Sequence, residues 1–252
     1  MRYLIKFSYD GTGYVGFQKQ GDLRTVEKAL VSAATSINND KPTKIVATGR
    51  TDKGVHAICQ YAHLDIDVDI TPYKLKRALN SKIDDDIYVI DCFRVSEDFH
   101  ARYNVVSKTY KYYINTGVYN PMERNYVYQH NYKLDVDSMK KAIEYFVGEH
   151  DFRAFVTENS IKDNCVREIY DVNIECNDDK IIITFTGNGF LRYQVRNMVG
   201  LLIKVGTGKI NYTEVKKILD SKSRKTGGVT AKACGLYLSD VQYEELDKYI
   251  IS

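Results

Sequence analysis

Gly49-Arg50-Thr51-Asp52-Lys53-Gly54-Val55-His56-Ala57 lies between two apolar runs, Ile45-Val46-Ala47 before it and a longer one that opens at Val55. Both runs read as strands, so the stretch between them reads as a connecting loop. A carboxylate stands at its centre with a cation on either side, Arg50 and Lys53, and glycines at 49 and 54. Glycine accepts backbone geometry that other residues resist and lets a ligand come close to the main chain. Nearby cations favour the charged carboxylate, so a loop of this make-up presents Asp52 into a cleft as an ionised group. A plain turn with a solvated Asp shares part of the pattern. No other carboxylate of the chain combines glycine punctuation and flanking cations in so small a space.

Working outward, Tyr3, Ile5, Phe7 and Tyr9 alternate with less apolar neighbours, which predicts a half-buried strand ended by Asp10-Gly11-Thr12-Gly13. Gln18 and Gln20 follow on a polar loop. From Thr25, the residues Val26, Leu30, Ala33, Ala34 and Ile37 recur at helical spacing, and Pro42 separates that helix from the strand leading to Asp52. A strand is expected over 55–67. Thr71-Pro72 opens a second helix, with Leu75 and Leu79 as its apolar side. Asp84-Asp85-Asp86 reads as an exposed loop and Ile87-Tyr88-Val89-Ile90 as a further strand. Strand, helix, strand, helix, strand suits an α+β sheet with helices on one face.

The second half repeats this alternation without visible sequence identity. Residues 99–104 read as a hinge, and 105–114 as a strand on which Tyr110 and Tyr112 share a face and Tyr113 takes the other. Met139, Ala142, Ile143, Phe146 and Val147 mark an amphipathic helix with Asp137 as cap and Gly148 as stop. Strands are expected at 166–175 and 180–186. A helix over 190–205 carries Arg192 and Arg196 one turn apart, and a short helix around Val215, Ile218 and Leu219 and a strand at 235–239 follow.

The chain of 252 residues is long enough for one large or two ordinary domains, and 44% hydrophobic with 27% charged residues is the balance of a soluble globular protein. No apolar run reaches the length of a bilayer span, and the amino terminus reads as a charged strand rather than a signal peptide. Five scattered cysteines (Cys59, Cys92, Cys165, Cys176, Cys234) are expected as buried free thiols of a reducing compartment, hence a cytoplasmic protein. A net charge of +3 does not announce a nucleic-acid binder by itself. Two local clusters do more: Lys74, Lys76, Arg77, Lys82, and Lys216, Lys217, Lys222, Arg224, Lys225. Each reads as a solvated helix face or, in a nucleic-acid binder, as a phosphate contact. His56, Cys59 and His63 imitate metal-ligand spacing, but on a strand His56 points away from the other two, and no metal is expected.

Gly49-Arg50-Thr51-Asp52 with Gly54-Val55-His56-Ala57 resembles the nucleophile motif of the tRNA pseudouridine synthase A family. Tyr9-Asp10-Gly11-Thr12, Tyr14, Gly16-Phe17-Gln18, Phe99-His100-Ala101-Arg102, Lys108, Tyr110, Tyr112, Gly189-Phe190-Leu191, Val195-Arg196-Asn197-Met198-Val199-Gly200 and Gly235-Leu236-Tyr237-Leu238 are similar to that family in the same order. The resemblance implies an α+β pseudouridine synthase fold: two ferredoxin-like, RRM-like halves with mixed or antiparallel sheets, meeting at a central cleft, with helices packed on the sheets. The halves are expected at 1–103, carrying Asp52, and 104–252, carrying Tyr110 and Arg196. It implies a cofactor-independent isomerisation of uridine to pseudouridine in the anticodon stem-loop of tRNA, positions 38–40, by a homodimer. Asp52 is then the nucleophile, Arg196 its partner cation, and Tyr110 the ring that stacks on the extruded base. Arg50 fills the gap left by that base, Leu236 packs near Asp52, and Gln18 and His56 join the substrate-binding set; Lys53, a second cation beside the cleft, is expected to add a contact to substrate phosphate.

Whether Asp52 adds to C1′, adds to C6 or acts as a base on the sugar stays open. Lys53 departs from the family, which commonly has alanine there, and Lys232 stands where a proline is usual. The alternatives are a relative acting mainly on ribosomal RNA or another tRNA position, and a non-catalytic RNA-binding module using tyrosine-bearing strands. The module lacks the RNP1 consensus and has no use for a glycine-framed Asp. A zinc deaminase lacks its ligands here, and a glycosylase would release free base.

Overall fold

The computed structural model describes residues 1–157, 164–223 and 229–251. The chain forms two compact units, Met1–Val106 with Leu238–Ser252, and Ser107–Tyr237.

Unit 1 runs β1 (Arg2–Tyr9), α1 (Val26–Ile37), β2 (Ile45–Ala47), β3 (His56–Asp65), α2 (Pro72–Asn80) and β4 (Ile87–Val95). β1 lies between β3 and β4, antiparallel to both, and β2 pairs with β3 on the other side. This β-α-β-β-α-β order, with sheet order 4-1-3-2, is the ferredoxin-like half expected from the sequence. Thr25 and Thr71 cap α1 and α2 by accepting from the N–H groups of Lys28 and Lys74, and Pro72 sits in the first turn of α2. Leu30, Ala34, Leu75 and Leu79 are buried with Ile5 and Phe7, so the apolar spacing read from the sequence does become the core. The chain returns to this unit within β10 (Leu236–Tyr243), whose later residues lie beside β3.

Unit 2 contains β5 (Val105–Asn115) from Ser107 onward, β6 (Tyr128–Gln129), α3 (Val136–Ile143), β7 (Gly148–Asp151), β8 (Val166–Asn177), β9 (Lys180–Gly187), α4 (Gln194–Gly206) and α5 (Glu214–Ser221). Its strands order as β5-β9-β8-β7, antiparallel, and β6 adds to β5 in parallel, giving a mixed sheet.

Several expectations shift. The late helix begins at Gln194, not at 190, because Tyr193 adopts the left-handed region (φ 65°) and the Gln194 side chain folds back to accept from Leu191 N–H. Asp135, not Asp137, caps α3: its carboxylate accepts the Ser138 N–H and hydroxyl. α3 ends at Ile143, a 3-10 turn over Glu144–Phe146 carries Phe146, and Val147 is exposed. Phe99 and Ala101, in the stretch read as a hinge, are wholly buried in unit 1, and the chain passes to unit 2 after Val106. Cys59, Cys92 and Cys165 are buried and outside any disulfide, whereas Cys176 is exposed and Cys234 half-buried.

Candidate active site

In unit 1 the Asp52 loop is fixed mainly through its backbone. Val55 N–H donates to Asp52 O (3.2 Å), and Gly54 takes a left-handed φ of 75°, closing a turn around Lys53. Gly49 O accepts from the Gln60 side chain (3.0 Å), and Gln60 is fully buried. Thr51 O accepts from Phe17 N–H (3.1 Å), while the Thr51 hydroxyl bonds the Tyr9 hydroxyl (2.8 Å). Burial raises the Tyr9 pKa, so that hydroxyl stays neutral.

The segment 10–17 cradles this loop. A Cβ at Gly16 would meet Thr51 O at 3.1 Å and Lys53 N at 3.3 Å, at a φ of 95° that favours glycine. A Cβ at Gly11 would stand 2.0 Å from Val55 O. The Asp10-Gly11 and Gly16-Phe17 signatures are therefore supports for the Asp52 backbone. The segment is itself clasped from outside. The Tyr14 hydroxyl donates to Asp86 in a short bond, Asp86 O accepts Asp10 N–H (2.9 Å), and Arg24 pairs with Asp84 and Asp86 (2.8 Å each). The Arg24 guanidinium also lies 4.3 Å from the Tyr14 ring centre. The acid triplet read as an exposed loop is thus half engaged, and only a long-range partner such as Arg24 reveals it.

Asp52 itself is half-buried, and Arg50, Lys53 and Gln18 are exposed beside it in sequence or on the cradle. His56 is buried beneath, where its Nδ1 accepts Gly11 N–H (3.1 Å) and lies 3.1 Å from Asp10 Oδ1. His63, at the other end of β3, accepts Ala101 N–H instead, and Cys59 lies beside Val241. The ligand-like trio therefore serves separate partners, and no group of metal-ligating side chains converges among the described residues.

In unit 2, Tyr110 faces Phe185 across β9, is nearly buried, and meets the Phe190 ring edge-on (5.2 Å, 82°). Tyr112 is fully buried, its hydroxyl donating to Lys232 O (2.8 Å), and Tyr113 packs edge-on against Tyr237. Arg196 stands in the first turn of α4. Its Nε donates to Ala231 O (2.8 Å), its own carbonyl accepts Ala231 N–H (3.0 Å), and its guanidinium lies 5.3 Å from the Tyr193 ring centre.

The neighbouring motif residues serve the same purpose. Asn197 bridges Phe155 O and the Thr230 hydroxyl (2.6 Å each), and a Cβ on Gly200 would fall 1.7 Å from Val229 O. Arg196, Asn197 and Gly200 thus dock the 229–231 segment on α4. Lys232 keeps a φ of −59°, the angle a proline would fix, and offers its carbonyl to Tyr112, so lysine there preserves the local geometry. Leu236 is buried at the start of β10, following Gly235, whose absent Cβ leaves room for the Tyr112 ring.

Comparison with known proteins is consistent over nearly all of the chain. A family model described as tRNA pseudouridine synthase matches residues 5–104 and 142–244, which include Asp52 and Arg196, while Tyr110 lies between the two matches. The tRNA pseudouridine synthase A of Streptococcus uberis is 41% identical over 247 residues, 97% of this chain and 99% of that protein. Those of Streptococcus agalactiae serotype Ia and Streptococcus mutans are each 41% identical, covering 97% of this chain and 96% and 100% of theirs. With this similarity, the α+β architecture is that of a pseudouridine synthase, and the chain belongs to the tRNA pseudouridine synthase family, A type.

Proposed function

We propose that Asp52 is the nucleophile of a tRNA pseudouridine synthase that isomerises uridines 38–40 of the anticodon stem-loop without a cofactor. Membership of the family carries the activity class: an RNA isomerase acting on tRNA. In that reaction the N1–C1′ bond breaks, the base turns, C5 bonds to C1′, C5 loses its proton and N1 gains one, so nothing is added or removed overall. A base stacked in a stem must first be extruded, at an unstacking cost of about a few kcal/mol.

The observation that carries the assignment is the seat of the Asp52 loop, whose carbonyls at Gly49, Thr51 and Asp52 are all hydrogen-bonded before any substrate arrives. A carboxylate on such a rigid loop loses little freedom on meeting a sugar or base carbon. Arg196 supplies the positive charge that keeps the acid ionised and aimed. Tyr110 offers a ring to the turned base, and Arg50 fills its place in the stem. Gln18 and Lys53 contact the RNA from the cradle and the loop tip. His56 acts through the Gly11 backbone it supports, and Leu236 is assigned to the packing around Asp52. The division of labour follows 1–103 for the acid and 104–252 for the tyrosine and arginine. We further propose a cytoplasmic homodimer; no described helix is long and apolar enough to cross a membrane, and sedimentation of the purified protein tests the dimer.

The test is Asp52→Asn with unmodified tRNA. Isomerisation is expected to vanish while tRNA affinity stays within about tenfold, because only the chemical step is removed. Full turnover by that variant overturns the assignment. Chemical mapping of pseudouridine in tRNA and ribosomal RNA from cells with and without the protein tests the positions.

A further inference from the structure

The sequence offers two basic segments of equal standing, and the structure separates them. On α5 the cations face their own helix's acids: Lys216 Nζ lies 2.7 Å from Asp220 and Lys217 Nζ 2.6 Å from Glu214. Arg224 and Lys225 lie outside the described residues. α2 contains no carboxylate at all. Lys74, Arg77 and Lys82 are exposed, and none pairs with a carboxylate among the described residues. Lys82 Nζ instead donates to the Ser36 hydroxyl on α1 (3.0 Å), and the Arg77 guanidinium lies 5.8 Å from the ring centre of Tyr73, itself 67% exposed. Of the nearby acids, Asp84 is taken up by Arg24, and Asp85 stands exposed after the helix.

We propose that this outer face of α2 is a further tRNA-binding surface, holding phosphates away from the nucleotide that reacts. An unpaired cation gains the whole of a phosphate contact, whereas a paired one must first give up its carboxylate. Each phosphate neutralised releases condensed counterions, which makes the contact favourable and salt-dependent. Ser36 adds a hydroxyl beside Lys82 that can donate to the same phosphate, and the exposed Tyr73 ring, already under a guanidinium, offers a face to a base. Leu75 and Leu79 anchor the opposite side of α2 in the core, so the surface is rigid before it binds. The inference rests on tRNA as the partner and is independent of which uridine reacts and of Asp52.

The experiment measures tRNA affinity by anisotropy over a potassium chloride series for three proteins: wild type, Lys74→Gln/Arg77→Gln/Lys82→Gln, and Lys216→Gln/Lys217→Gln. Turnover at saturating tRNA is measured alongside. The α2 triple is expected to lower the slope of log affinity against log salt by about 2 to 3, and to weaken binding about tenfold or more near 0.1 M salt. Its saturated turnover stays within about twofold, and the α5 pair leaves the slope unchanged. The single variant Arg77→Gln, with its unfolding midpoint checked, is expected to lower the slope by about 1. An unchanged slope in the triple, or an equal fall in the α5 pair, overturns the proposal. Loss of saturated turnover with an unchanged slope would count against it too, since the face would then act on chemistry rather than on binding.

Discussion

The two units hold their reactive candidates by different means. Unit 1 fixes Asp52 from the main chain: glycines at 11 and 16 let one segment lie against another, and Tyr9, Phe17 and Gln60 bond the loop's threonine and carbonyls. Unit 2 fixes Arg196 partly through its own side chain, by Nε to Ala231 O and by the Tyr193 ring. A loop held at its carbonyls keeps its course when a side chain on it is exchanged. An arginine placed by its side chain loses its position together with its charge.

The contrast yields a ranked set of tests. Arg196→Lys keeps the charge but gives up both the planar fork and the Nε bond, and lysine does not replace either. Its turnover is expected to fall at least a hundredfold with the unfolding midpoint within a few degrees. A variant that turns over normally would show that charge alone suffices. Gly11→Ala drives a methyl into Val55 O and is expected to cost about 2–3 kcal/mol, lowering the midpoint by about 5–10 °C together with activity. A stable, active Gly11→Ala protein would break the idea of a backbone seat.

Tyr14→Phe removes one bond of the outer clasp while Arg24, Asp86 and the Asp10–Asp86 main-chain bond remain. The expected loss of turnover is about threefold to tenfold at unchanged KM, and a rise in KM alone would show that the clasp serves binding instead. The smallest effect appears only in acid. Burial, with Arg2 and His100 nearby, lowers the His63 pKa to about 4, against an opposing pull from Asp65. The folded state therefore binds that proton less readily than the unfolded chain, whose histidines titrate near 6.5. His63 contributes stability that is present above about pH 6.5 and lost as pH falls through about 4. His63→Gln, which keeps an acceptor for Ala101 N–H, is expected to flatten this decline in thermal unfolding measured across that window.

Much of this was legible beforehand where signals are local. Thr25 and Thr71-Pro72 announced their helices, the alternation in Tyr3 to Tyr9 announced β1, and the glycine-framed stretch announced the turn that Gly54 closes ahead of β3. Reading failed where a distant partner decides. Asp86 looks like any surface acid until Arg24 and Tyr14 reach it from the other side of α1's entry. The start of α4 depends on one left-handed tyrosine that no periodicity encodes. Asp137 reads as the cap of α3 in sequence, but Asp135 takes that place by accepting the Ser138 N–H and hydroxyl. The support given by Gly11 and Gly16 was visible only as a motif, because the atoms they approach lie some forty residues away.

Residues that follow Tyr237 finish the first unit. The Tyr243 hydroxyl shares a hydrogen bond with Thr48, just ahead of the Asp52 loop, and donates to Ala101 O, while Ser96 N–H bonds Tyr249 O. On the ribosome, the strands that emerge first must wait for residues 238–251, made much later, before their sheet is fully braced. Translation order thus delays the scaffold: a nascent chain can display the Asp52 loop early, but the bond that braces Thr48 ahead of it forms only when residues 238–251 come back.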